Sequence, residues 1–179
     1  MTKNRIFIGI PVPADIAKQL WEMLPGGELL KRSAFTNYHI TLQFLGKVSN
    51  LSEVIEQFKS LTFNSFKISV DGISGFYKKG KLAVMYLSIS EGKGEVTTLS
   101  QVVKSTFAAY DNDPNPVYTP HITVNRNIKA AELQSAEQLL TFKFAQPIYF
   151  EALHIYLYDS INLRDSGLYG CVSSVSANL

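Results

Sequence analysis

The sequence predicts an α+β fold in which one βα lobe is used twice, and three observations predict it. Short apolar strands alternate with helical stripes along all 179 residues. One motif recurs: Tyr38-His39-Ile40-Thr41-Leu42 and Pro120-His121-Ile122-Thr123-Val124 each hold a His-x-Thr triplet inside an apolar run, 82 positions apart. The elements around the two copies fall in the same order: strand, helix, motif strand, helix, strand pair. Phe66-Lys-Ile-Ser-Val70 lies over Gln146-Pro-Ile-Tyr-Phe150 at an offset of 80, with apolar positions in register. That period is too long for a solenoid. The expected arrangement is one domain, 1–179, of two lobes about a pseudo-twofold axis, roughly residues 1–80 and 81–179.

Each element has its own signal. Arg5 to Val12 is an apolar run and predicts a buried strand. Pro13 and Ala14 open a helix whose stripe is Ile16, Ala17, Leu20, Trp21 and Leu24, and Pro25-Gly26-Gly27 stops it. The first motif strand runs from about Tyr38 to Leu45, closed by Gly46. Ser52 reads as the N-cap of a helix faced by Val54, Ile55, Phe58 and Leu61. Phe66 to Val70 alternates as a strand, and Asp71-Gly72 signals a turn or bulge before Ile73 to Tyr77. Lys78-Lys79-Gly80-Lys81 is a tight basic turn, and Leu82 to Ile89 a buried strand. A helix from about Glu95 to Tyr110 carries Val96, Leu99, Val102, Val103 and Phe107. The Asp111–Pro116 segment is a loop. The second motif strand follows, from Val117 to about Asn125, then a short helix over 130–140. Strands over 148–158 and 168–175 flank a loop near 162–167.

A chain that is 46% apolar and 18% charged can bury a full core. A net charge of +2 tolerates a polyanionic substrate but falls short of a strong nucleic-acid footprint. Cys171 is the sole cysteine, so no intrachain disulfide forms, which fits a reducing compartment. No run approaches the roughly 18 apolar residues of a membrane span, and the apolar run from Ile6 is too short for a signal peptide. The expectation is a soluble cytoplasmic protein with no membrane and no obligate protein partner.

Two of the three histidines lie in the repeated motif. On a strand, residues i and i+2 share a face, so each triplet presents an imidazole beside a hydroxyl. Two such strands would set His39 and His121 on either side of one small anion. With an ordinary pKa of about 6.5, one ring can take a proton from water while the other protonates the departing oxygen of a phosphodiester. Thr41 and Thr123 can donate to the non-bridging oxygens. No metal or other cofactor is expected: the sequence has no HExxH, no HxH and no cysteine cluster. Without a metal's electrophilic power, a strained ester such as a ribose 2′,3′-cyclic phosphate is the natural substrate.

These residues resemble the 2H phosphoesterase superfamily, and within it the RNA 2′,3′-cyclic phosphodiesterase (2′-5′ RNA ligase) family. The resemblance rests on Arg5-Ile-Phe-Ile-Gly, Asn37-Tyr-His-Ile-Thr-Leu-Gln-Phe-Leu-Gly46, Tyr118-Thr-Pro-His-Ile-Thr-Val-Asn-Arg126 and Glu151-Ala-Leu with Leu157-Tyr-Asp-Ser160, and it spans nearly the whole chain. It implies two antiparallel sheets around a V-shaped cleft. It also implies hydrolysis of RNA 2′,3′-cyclic phosphate ends to 2′-phosphates, with reversible 2′-5′ joining of RNA in some members. His39 and His121 would then be catalytic, and Thr41, Thr123 and Arg126 would hold phosphate. Strict alternation, however, turns Arg126 away from His121 unless the strand bulges. The working assignment lets His121 activate water and His39 protonate the leaving oxygen. A tryptophan common upstream of the first motif is missing; Phe35 is the nearest aromatic.

Tyr118, His154 and Tyr156 are further candidates for stacking a base. Phe44 is expected in the core with Leu42, and the three lysines of the 78–81 turn in solvent. Two alternatives stay open: a 2H activity on a small nucleotide or 2′-5′ oligonucleotide, and a non-catalytic RNA- or nucleotide-binding module.

Overall fold

The computed structural model describes residues 5–26, 32–110, 117–126, 128–161 and 167–178. The loop expected over 111–116 and most of that expected over 162–167 lie outside these residues. Among the described residues eight strands alternate with four helices: β1 (Arg5–Pro11), α1 (Ala14–Met23), β2 (His39–Lys47), α2 (Leu51–Lys59), β3 (Phe66–Lys78), β4 (Lys81–Ile89), α3 (Lys93–Thr106), β5 (His121–Arg126), α4 (Leu133–Leu139), β6 (Lys143–Ala152), β7 (His154–Asp159) and β8 (Gly170–Ser176). Single 3₁₀ turns precede β2, follow α3 and precede α4.

Most elements stand where their sequence signals put them, with shifts that have local causes; the single strand expected over 148–158 is instead two, β6 and β7, parted at Leu153, whose amide turns back to the Glu151 carbonyl. The α2 helix is capped by Asn50, not Ser52: the Asn50 side chain accepts from the Glu53 amide at 3.3 Å. The long helix ends at Thr106, and its last expected turn tightens to a 3₁₀ turn at Ala108–Tyr110. Asp71-Gly72 is a bulge inside one 13-residue strand, where the register slips against both neighbours.

The strands form one antiparallel array in the order β6-β3-β4-β5-β2-β1-β7-β8. At its centre the two motif strands meet through a single register pair, Ile40 with Ile122. The array is thus one open antiparallel sheet, where two were expected, and its two four-strand halves are joined at one register pair. A boundary near residue 80 does not separate these halves. β3 crosses to pair with β4 and β6, while β7 and β8 return to extend β1.

The two faces of the array differ. One is apolar: Ile6, Ile8 and Ile10 of β1, Ile40 and Leu42 of β2, and Ile122 and Val124 of β5 join a continuous core with Ala17, Leu20, Val54, Phe58, Val96 and Val103 of the helices. Burying side chains of this size contributes about 1.5–3 kcal/mol each. The other face carries the polar members of the motifs.

Candidate active site

The two histidines are held in the same way. His39 Nδ1 lies 2.7 Å from the carbonyl of Asn37, and His121 Nδ1 lies 2.7 Å from the carbonyl of Thr119. A carbonyl only accepts, so each ring carries its proton on Nδ1 and directs Nε2 to the opposite side. For His39, Nε2 then accepts from the Thr41 hydroxyl at 3.1 Å. Among the described residues His121 Nε2 has no protein partner; Thr123 Oγ1 accepts from the Arg126 guanidinium at 3.1 Å.

Register relates the two rings. With Ile40 opposite Ile122, His39 falls across from Thr123 and Thr41 across from His121. The histidines are then diagonal neighbours, a relation that in a regular pair separates Cβ atoms by about 7–8 Å. Their fields overlap: burial first, then the charges of Arg126 and His121, lower the pKa of His39 to about 4, against the opposing bond to Asn37. Burial also lowers His121, again with Arg126 adding and the bond to Thr119 opposing. Both rings are therefore neutral at pH 7 in the unliganded protein.

Arg126 reaches this face because the strand does bulge. Met85 pairs with Asn125 and Tyr86 with Thr123, so Val124 is the extra residue. β2 carries the same irregularity one residue after its own threonine: Ile8 pairs with Gln43 and Gly9 with Thr41, leaving Leu42 over. The two bulged carbonyls find partners off the sheet: Val124 accepts from the Ser33 amide at 2.7 Å, and Leu42 from the Ser100 hydroxyl at 2.8 Å. Each bulge turns the next residue, Gln43 or Asn125, into the core, where both are 2% exposed. Each also flips the residue after that onto the histidine face, Phe44 in one strand and Arg126 in the other.

This corrects the expectation for Phe44. It is not core but 45% exposed, with its ring centroid 5.6 Å from that of Phe7. Alternation gave the wrong face because a bulge shifts the phase by one.

Aromatic rings wall both histidines. Phe7, Tyr158 and Tyr169 approach His39 at 4.9, 5.5 and 5.3 Å between centroids. Phe76 and Tyr86 approach His121 at 5.0 and 5.1 Å. Tyr158 and Phe76 belong to the two exchanged strands, so each histidine is walled by a strand from the other part of the sequence. Tyr169 and Asn37 were not singled out by sequence reading. Asn37 accepts from the Tyr169 amide at 3.1 Å and donates to the Gly167 carbonyl at 2.6 Å, while its own carbonyl holds His39.

The remaining candidates sit apart from the imidazoles. Tyr118 packs against the core, and its hydroxyl donates to the Thr41 carbonyl at 2.6 Å, tying the second motif to the first. His154, Tyr156 and Tyr158 form a row along β7, with Tyr158 beside His39 and His154 exposed and bonded to Ser176 at 3.2 Å. Gly9 is buried between Thr41 and Tyr156; a Cβ there would come within 2.8 Å of the Ile40 carbonyl and 3.4 Å of His39 Cδ2. Among the described residues no three His, Cys, Asp or Glu are grouped as metal ligands. None of the described helices is long and apolar enough to cross a membrane.

Comparison with known proteins agrees with this architecture. The profile of the 2′-5′ RNA ligase superfamily matches residues 12–162. An RNA 2′,3′-cyclic phosphodiesterase of Archaeoglobus fulgidus is 31% identical over 127 residues, covering 68% of this chain and 72% of the relative. One of Aeropyrum pernix is 29% identical over 107 residues, covering 58% and 61%. The structure of E. coli LigT complexed with 3′-AMP superposes with a TM-score of 0.79 at 21% identity, covering 99% of both chains.

Proposed function

This chain belongs to the 2′-5′ RNA ligase superfamily, and on that premise we propose that it hydrolyses RNA 2′,3′-cyclic phosphate ends to 2′-phosphates with His39 and His121 as its acid–base pair. The observation that carries the reading is the twin anchoring of both rings at Nδ1, which leaves two Nε2 atoms on one polar face. Curated relatives of the same superfamily bear the name of this activity.

The roles divide by what each Nε2 already touches. His121 Nε2 has a lone pair without a protein partner among the described residues and takes the proton of an attacking water. His39, neutral with its proton on Nδ1 in the unliganded protein, takes a second proton at Nε2, beside Thr41, and delivers it to O3′ as the P–O3′ bond breaks. Arg126 and Thr123, already joined, bind the non-bridging oxygens, and Thr41 completes the clamp. With a 5′-hydroxyl in place of the water, the same proton transfers would form the P–O5′ bond as the P–O3′ bond breaks, leaving a 3′-hydroxyl and a 2′-5′ linkage. The cytoplasm, where the exposed thiol of Cys171 stays reduced, is the compartment this reading implies.

The test is turnover of 2′,3′-cyclic nucleotides and of a cyclic-phosphate-ended oligoribonucleotide in excess chelator, with the phosphate position of the product identified. Hydrolysis to the 2′-phosphate that survives chelation and disappears in both His39→Ala and His121→Ala is the expected result. Binding without turnover would instead identify a binding module, and activity restored only by added metal would overturn the mechanism.

A further inference from the structure

The β3–β4 hairpin tip lies on the same face as the histidines and carries three lysines, Lys78, Lys79 and Lys81. Phe76 of β3, Val84 of β4 and Arg126 of β5 stand in one row across the array, and Phe76 touches the His121 ring. Lys78 is two residues beyond Phe76 and shares its face. Lys81 is its direct cross-strand partner and shares that face too. Together with Lys79, Leu82, Ala83 and Ile128 they line a shallow cavity of about 420 Å³. Among the described residues none of the three lysines makes an ion pair.

Two local features of this turn are unfavourable on their own. Like charges placed directly opposite each other destabilise a strand pair, and Lys78 faces Lys81. A two-residue turn of this kind takes Asn-Gly by preference, because both central residues need positive φ. Here Lys79 occupies the first position at φ 51°, followed by Gly80 at 74°. A lysine held in the left-handed region, beside a like-charge pair, marks a place where positive charge is kept at a cost in stability.

We propose that this tip is a docking site for the backbone phosphates of RNA on the 5′ side of the cyclic phosphate, so that the chain prefers oligomers to mononucleotides. The inference rests on the phosphodiesterase reading and adds a second contact to it. Lys78 lies two strand residues, about 7 Å, beyond the row of Arg126 and two strands, about 10 Å, across from it, so about 12 Å away, or three to four nucleotides of a strand stacked at 3.4 Å. A phosphate lying between Lys78 and Lys81 would relieve their repulsion, and Lys79 would meet the next one.

The experiment compares kcat/KM for a 2′,3′-cyclic mononucleotide and for a cyclic-phosphate-ended hexaribonucleotide, in the wild type, in Lys79→Asn and in Lys78→Ser/Lys81→Ser, across a salt series. The mononucleotide should be processed equally by all three. The oligomer should lose about threefold in Lys79→Asn and about tenfold in the double variant. Its salt slope should flatten by about 0.7 per lysine removed. Lys79→Asn should also raise the melting temperature, since asparagine suits that turn, which separates lost binding from lost folding. Oligomer rates that do not change, or rates on both substrates that fall together, would overturn the docking site. Should the wild type turn over neither substrate, the hydrolase reading fails, and fluorescence anisotropy of the labelled hexamer still decides the tip: equal affinity in all three proteins would overturn it.

Discussion

Replacing Gly9 by alanine tests whether the placement of His39 depends on a missing side chain. The new Cβ would sit 2.8 Å from the Ile40 carbonyl oxygen and 3.4 Å from His39 Cδ2. Ordinary C···O contacts begin near 3.3 Å, so β1 and β2 must part by about 0.5 Å. The atom pressed against is backbone and cannot swing away. Ile40 is also the residue that joins the two halves of the array, so the displacement reaches the relation between the rings. Overpacking of this kind costs about 1–3 kcal/mol. A 1 Å error in a reacting group costs about 10²-fold, and half that error should cost about tenfold in kcat/KM. The assay is steady-state hydrolysis of a cyclic nucleotide alongside urea unfolding. Gly94→Ala is the control: its Cβ would meet nothing within 4 Å, so activity should hold and the helix should gain a few tenths of a kcal/mol or more. Wild-type kinetics and stability in Gly9→Ala would refute the reasoning.

Four further outcomes follow from the geometry. The kcat/KM profile should be bell-shaped with its maximum below pH 6.5, because burial lowers both histidines, His39 to about 4; a rate that rises steadily from pH 5 to 9 would contradict it. The same lowering makes the unfolded chain bind more protons than the folded one below its pKa of about 6.5, so urea midpoints should be highest at or above neutral pH and fall as pH drops from 6.5 towards 4. Tyr118→Phe removes the bond to the Thr41 carbonyl and should cost about 1 kcal/mol in urea unfolding, with a severalfold fall in kcat and little change in KM. Burial alone would raise the Asp71 carboxyl, but bonds from Ser88 and Lys143 hold it below its ordinary value. The stability gap to Asp71→Asn should thus be present at neutral pH and close as pH falls through about 4, and it should stay under about 1 kcal/mol because the carboxylate is partly exposed.

What could be read from the chain was what alternation and repetition encode. The paired triplets placed His39, Thr41, His121 and Thr123 on one polar face, and apolar periodicity located most strands and helices to within a turn, but it ran β6 and β7 together as one strand over 148–158. Phase was harder. Nothing in Leu42-Gln43-Phe44 distinguishes a regular strand from a bulged one, since the bulge at Leu42 is supported by a hydroxyl from α3, 58 residues away. The counterpart at Val124 is supported from Ser33, on the far side of the chain. Arg126 was named by resemblance, with a bulge as its condition; Phe44 was misplaced for want of one. Asn37 and Tyr169 escaped notice because their link spans 132 residues. The crossing of β3 and the return of β7 are tertiary choices that no local pattern specifies.

That crossing sets a timetable for a chain that emerges from the ribosome in order. β1 is made well before β7, and one of its edges stays bare until β7 arrives some 145 residues later. At about 5–20 residues per second, the wait is roughly 7 to 30 seconds. Over that interval Ile6, Phe7, Ile8 and Ile10 form an open strand edge of the kind chaperones shield and aggregates recruit. His39 gains its wall of Tyr158 and Tyr169 only after a further 119 to 130 residues are made, so a nascent product that stops short of them carries half of the paired chemistry unassembled.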